Sequence, residues 1–296
     1  MLNSEVGCAI LILDNAGDWK GRFVKTIKHL KIESDAKSYF KPEIEGGKMM
    51  RTINEIMAIA GGAWQLLRMR VVYVLILCVL VLIGSAYRYD VLSLGQHKAL
   101  MVDVSLMLNT LAAILIAISV TFEISRELRE GVASTLLSKP LGRTHYLIGK
   151  LVGISIAGIV VTGLITIGFC IIFNSAFADA GIGQTMLMGH LLIMASVIPM
   201  SALAVMFSVL VPESIAAVVT AIAIWFAHST PVLGKITILY GGILPDMNLF
   251  NLKAEAAYNV GNISLAYLAL ALLWGITYSV FATSLASLVF GQRDLK

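Results

Sequence analysis

Charged side chains crowd one short part of this chain: Glu123, Arg126, Glu127, Arg129, Glu130, Lys139, Arg143 and Lys150 all fall within residues 123–150. Such a mixture could cradle a phosphate, perform acid–base chemistry, or dock on a partner and pass force. A phosphate-cradling loop needs the spacing G-x-x-x-x-G-K-[ST], and here Thr144 stands where the first glycine belongs and Leu151 where the hydroxyl belongs. The five histidines (His29, His97, His145, His190 and His228) are scattered, with no pair at metal-ligand spacing. Neither an H-E-x-x-H pair nor a nucleophile constellation is present. The expectation is therefore no catalytic residue, no metal site and no bound cofactor, which leaves docking, or a solvated connector whose charges only set topology.

The elements that hold this segment are greasy. Hydrophobic residues make up 58% of the 296, charged residues 14%, and the mean hydropathy is +0.87. A lipid solvent is implied, and about 20 apolar residues at roughly 1.5 Å each cross a hydrocarbon core about 30 Å thick. Six candidate spans can be read, at 71–87, 104–122, 151–173, 186–211, 214–229 and 263–290. The first and fifth are short, and the fourth carries Pro199, which a spanning helix tolerates when its neighbours satisfy the freed carbonyl. The fold class expected is an all-α membrane bundle of six transmembrane helices. Cys78 and Cys170 fall inside spans and Cys8 in the N-terminal tail, which is no disulfide framework.

Orientation follows from basic residues close to the spans. With the N-terminus inside, the inner flanks hold eleven: Lys48, Arg51, Arg68, Arg70, Arg126, Arg129, Lys139, Arg143, Lys150, Arg293 and Lys296. The outer loops hold four: Arg88, Lys98, Lys235 and Lys253. Both termini are expected in the cytoplasm, and the protein in the plasma (inner) membrane. Residues 123–150 then form a cytoplasmic loop, since burying eight charges at mid-bilayer would cost on the order of 20 kcal/mol. Within it, the Arg126/Glu130 spacing and a small apolar face (Val132, Thr135, Leu136) predict a short helix over 123–137, stopped by Pro140 and turned by Gly142. Lys150 is expected to snorkel to the interface.

At these residues the sequence resembles the ABC type-2 permeases, in the branch named for multi-copper enzyme maturation. The resemblance rests on Glu127, Gly131, "LLSKP" ending at Pro140, Arg143 and the Gly149-Lys150 pair, then "LPDMNLFNL" at 244–252 and the C-terminal "FGQRDL" from Phe290. It runs from Met49 to the end, and Val132 departs from it where many relatives have threonine. It implies a six-helix subunit that pairs with a second copy or a sister permease and with a cytoplasmic ABC ATP-binding subunit, which alone binds ATP. It further implies that Glu123, Glu127, Glu130, Gly131, Lys139, Pro140 and Arg143 couple the membrane domain to that ATPase, with export the expected direction. The competing reading is a membrane scaffold or maturation factor that moves nothing itself; a lipid-modifying enzyme is disfavoured by the missing catalytic constellation.

Three further features bear on architecture. Residues 49–70 place Ile53, Ile56, Met57, Ala60, Trp64 and Leu67 on one face, an interfacial helix that either braces the coupling loop or merely leads into the first span, with Gly61-Gly62 as a possible break. The last span repeats small residues at Ala271, Gly275, Ser279, Thr283 and Ser287, and Gly149, Gly153 and Ala157 begin a similar stripe; these favour close helix packing within one subunit over a dimer seam. Ionisable groups are scarce deep in the spans, with Asn109 the most polar residue near the middle of the second, which argues against ion coupling. Residues 230–262 read as an external, semi-apolar segment. Residues 1–48, nearly balanced in charge, read as a cytoplasmic tail or as a region preceding a native start at Met49 or Met50. The permease domain proper is 71–296.

Overall fold

A computed structural model describes residues 45–63, 70–88, 96–131, 142–178, 181–228, 244–258 and 263–292. The chain divides into two units, Met1–Arg51 and Thr52–Lys296, and all contacts below lie within the second. Among the described residues there are helices and no strand. They are α1 (Glu45–Ala63), α2 (Arg70–Ala86), α3 (His97–Arg129), α4 (Arg143–Ala176), α5 (Gln184–Leu210), α6 (Glu213–His228), a 3-10 turn (Met247–Phe250), α7 (Lys253–Tyr258) and α8 (Leu265–Gln292).

Four helices, α3, α4, α5 and α8, are long and apolar enough to cross a membrane; α2 and α6 are apolar but shorter, at 17 and 16 residues. At 1.5 Å per residue, α3 and α4 are each about 50 Å long, against a hydrocarbon core of about 30 Å. Each predicted span coincides with one of these six helices.

The centre of the bundle is α5, which packs on α3, α4, α6 and α8. Its surface is apolar on every side, as a helix buried by neighbours all round must be, and Ala202, Leu203, Ala204 and Val205 are fully enclosed. Close approach is obtained with small residues. A Cβ on Gly158 would lie 2.5 Å from Val197 Cγ1, and one on Gly275 would lie 3.4 Å from both Pro199 Cδ and Phe250 Cζ. The α8 stripe of Ala271, Gly275, Ser279 and Thr283 is thus buried inside this chain, while Leu270, Leu273, Val280 and Leu288 point outward. Gly153 is likewise buried on α4.

Several sequence expectations change here. The predicted short helix over 123–137 is instead the last turns of α3, which runs unbroken from His97 and ends at Arg129. Gly131 makes the stop, at φ 72, a left-handed conformation that glycine adopts without steric cost. Gly142 is extended (φ −68, ψ 139) and forms the N-cap of α4; Val132, Thr135, Leu136, Lys139 and Pro140 lie outside the described residues. On α1 the inward face is Ile56, Ile59 and Ala60, whereas Ile53 and Met57 are exposed. Gly61 and Gly62 lie in the last turn of α1, which ends at Ala63. Trp64 and Leu67 lie outside the described residues.

The far end of the bundle is plugged by 244–258. Asp246 Oδ1 accepts from the Asn248 amide and side chain at 3.0 Å each, forming the cap of the 3-10 turn. That turn drives Met247 and Phe250 into the core, and Tyr267 Oη donates to the Leu249 carbonyl at 2.7 Å. Between the two ends lies a small polar cluster. Asn109 Nδ2 donates to Thr166 Oγ1 (3.3 Å), and His190, fully enclosed, stacks on Phe169 and lies 3.3 Å from Ser105 Oγ.

Candidate transmission site at the helix ends

The end of α3 and the start of α4 bring the charged segment together. Glu123 and Glu127 lie one turn apart, on one face of α3, and Tyr146 and Lys150 have the same spacing on α4, since positions i and i+4 share a helix face. These faces meet. Tyr146 Oη donates to Glu127 Oε2 at 2.7 Å, and Lys150 Nζ donates to Glu127 Oε1 at 2.6 Å. Each carboxylate oxygen of Glu127 thus receives one donor, and the pair is largely buried, the Lys150 and Glu127 side chains being 8% and 17% exposed. Charge-assisted bonds of this length are the strong kind. Lys150 therefore does not snorkel; an inward carboxylate holds it more effectively than the interface could.

Arg143 faces another way. Its Nη1 donates to the carbonyls of Phe290 (3.0 Å) and Gly291 (2.9 Å) at the end of α8, where carbonyls lack intrahelical partners and a cation is favoured. The guanidinium also lies 5.9 Å from the Phe290 ring centroid, and that ring packs against Tyr146 at 6.1 Å. Thr144 Oγ1 and Ser287 Oγ are hydrogen-bonded at 2.9 Å. Helix α4 is therefore tied to α3 by one face and to α8 by another.

A fourth helix joins at Gly149. A Cβ there would lie 2.7 Å from Ile59 Cβ and 3.1 Å from the Ile56 carbonyl, so α1 rests directly on the α4 backbone. His145 Nδ1 lies 3.7 Å from Glu55 Oε2 along the same contact.

Three further charges are placed differently. Arg126 and Glu130 form the expected i, i+4 pair at 3.9 Å, more than half exposed, on the outer side of α3. A pair so placed contributes at most about 0.5 kcal/mol to stability and is available to another molecule. Glu123 is half-buried, with Oε2 enclosed and without a hydrogen-bond partner. It lies past the apolar stretch 104–122. Burial raises its carboxyl above the ordinary 4.5; the Lys150 ammonium opposes this, the Glu127 carboxylate adds to it, and Arg126 opposes it. The Tyr146 hydroxyl, also outside the apolar stretches, is pushed up by burial and by the Glu127 carboxylate.

Of the residues expected to couple, Glu123, Glu127, Glu130, Gly131 and Arg143 gather at this end of the bundle, while Lys139 and Pro140 lie outside the described residues. Sequence reasoning missed Tyr146 altogether and missed that Phe290 and Gly291 receive Arg143. The matched i, i+4 pairs on two adjacent helices, acids on one and donors on the other, were the available signal. Among the described residues no cluster of His, Cys, Asp or Glu could hold a metal.

Residues 30–295 match the family described as ABC-2 family transporter protein. The chain belongs to that family. The match begins ahead of Met49 and takes in all the described helices. No curated protein matches the sequence. This ABC-2 family chain is thus a multi-pass membrane protein of the permease kind, whose membership implies association with an ABC ATP-binding subunit and the bilayer. What its helix ends offer chemically is a rigid junction: four elements held by ionic, carbonyl-directed and backbone contacts, with one exposed charged pair beside them.

Proposed function

We propose that this protein is the permease subunit of an ATP-binding cassette exporter, crossing the plasma (inner) membrane six times with both termini in the cytoplasm. The single observation that carries the reading is Glu127 receiving Tyr146 and Lys150 together, because it makes the ends of α3 and α4 one body. A partner subunit pressing on residues 123–143 would move two membrane-crossing helices at once, and Arg143 would bring α8 with them. The excess of basic residues at this end supports its placement in the cytoplasm.

In this mechanism the ATP-binding subunit binds and hydrolyses ATP, and no residue of this chain does. Arg126 and Glu130, exposed on α3, form the docking surface, and Lys139 and Pro140 keep the coupling role that the family resemblance implies. Glu127, Tyr146, Lys150 and Arg143 hold that surface to the bundle. The outward leucines of α8 and the exposed face of α2 (Tyr73, Val74, Leu77, Val81) meet lipid or a second permease, identical or sister. That second permease completes the translocation route, and alternating access follows from the two halves rocking.

Affinity purification of the native membrane complex tests the reading. An ABC ATP-binding subunit should co-purify, and the charge reversal R126E/E130R should release it while the permease stays folded and inserted. Recovery of an intact complex without any ATP-binding subunit, or unaltered association of the double variant, would remove the proposal and leave a scaffold role.

A further inference from the structure

The junction holds two carboxylates and one ammonium. Glu127 has Lys150; Glu123, one turn away on the same face, has an enclosed oxygen with no hydrogen-bond partner. The cations acting on Glu123 are Lys150 and Arg126, and Arg126 points outward, engaged with Glu130. Side chains four apart on a helix have their Cβ atoms about 5–6 Å from each other. The lysine stem has four carbons and freely rotating donors, so its ammonium can span that interval.

We propose that Glu123 is a second berth for Lys150, so that the α3–α4 junction has two arrangements: Lys150 on Glu127, as seen here, and Lys150 on Glu123. Glu127 keeps the Tyr146 hydroxyl in both, so the helices exchange partners without coming apart. An enclosed carboxylate oxygen without a hydrogen-bond partner is costly unless something can reach it, and the ammonium of Lys150 is the group at hand. Glu123 is on this view a positioning residue, acting through Lys150 and not by touching a partner. The use of the exchange in a transport cycle rests on the function proposed above; the existence of two berths does not.

Thermal unfolding of the purified protein in detergent, for E123Q, E127Q and the double variant, measures the second berth directly. If Lys150 can move to Glu123, E127Q alone lowers Tm modestly and E123Q alone leaves it unchanged or raises it. The double variant then loses at least about 5 °C more than the two singles together. That excess should vanish in a Lys150→Met background. A double variant that cannot be recovered folded, beside two folded singles, is the same excess in stronger form. Additive Tm changes, or an excess that persists without Lys150, overturn the proposal.

The second arm uses the complex with its ATP-binding subunit. There E123Q should cut ATP turnover about tenfold with Tm unchanged, a split that a purely structural role would not produce, and Glu123→Asp should restore part of it. Unchanged turnover in E123Q removes the berth from the cycle. Failure of any ATP-binding subunit to co-purify counts against the proposed function alone, because the unfolding series still decides the two berths.

Discussion

Ile59 and Gly149 meet with no room between them: a Cβ on Gly149 would lie 2.7 Å from Ile59 Cβ. The neighbour is a β-branched side chain on a helix backbone, not the free end of a flexible chain. G149A should therefore displace α1 from α4, at about 1–3 kcal/mol for overpacking. A lowered Tm, with faster thiol labelling of a cysteine placed at Ile56, would show it.

Glu127 accepts two bonds of different kinds, and they should be separable. Y146F removes a hydrogen bond to a charged acceptor, worth about 1.5–3 kcal/mol, and leaves the ion pair. Lys150→Met strands Glu127 with the tyrosine alone, and breaking a largely buried pair costs about 3–5 kcal/mol before any re-pairing. Chemical denaturation of both variants should rank them in that order.

Arg143 closes the end of α8, with two carbonyls on one nitrogen and a ring beneath. R143A should fray that helix end. Faster amide exchange confined to 286–292, with the centre of α8 unchanged, is the expected pattern. R143K should recover little, since a point-like ammonium lacks the planar contact with Phe290.

Glu123 sets a pH dependence whose sign can be worked out. Its folded-state pKa is raised above 4.5 chiefly by burial. The folded protein therefore holds this proton more tightly than the unfolded chain, and stability falls as pH rises from about the ordinary carboxylate value through the raised one. E123Q removes the titration, so its Tm should change less over that interval than that of the wild type.

Helix count and placement were legible because lipid demands long apolar runs, and such runs leave a plain mark: every predicted span lies on a helix. The Arg126/Glu130 pair was legible for the same local reason. What lay hidden was which face of each helix found which neighbour. Lys150 was expected at the interface because a lysine near a span end ordinarily snorkels, and only the fold places a carboxylate 2.6 Å away. Tyr146 gave no signal by itself, being one aromatic in an amphipathic turn. The stop of α3 was assigned to Pro140, a strong breaker, when a glycine nine residues earlier had already taken the left-handed turn.

The lengths of α3 and α4 carry a geometric corollary. Two stiff rods of about 50 Å that fill a layer of about 30 Å must project beyond it, and the projection multiplies motion. A tilt of about 5° about one tip sweeps the other through about 4 Å, enough to part or join side chains along the way. On the function proposed above, gain of that kind would let a modest push at the water-facing tips shift the helices across the whole layer.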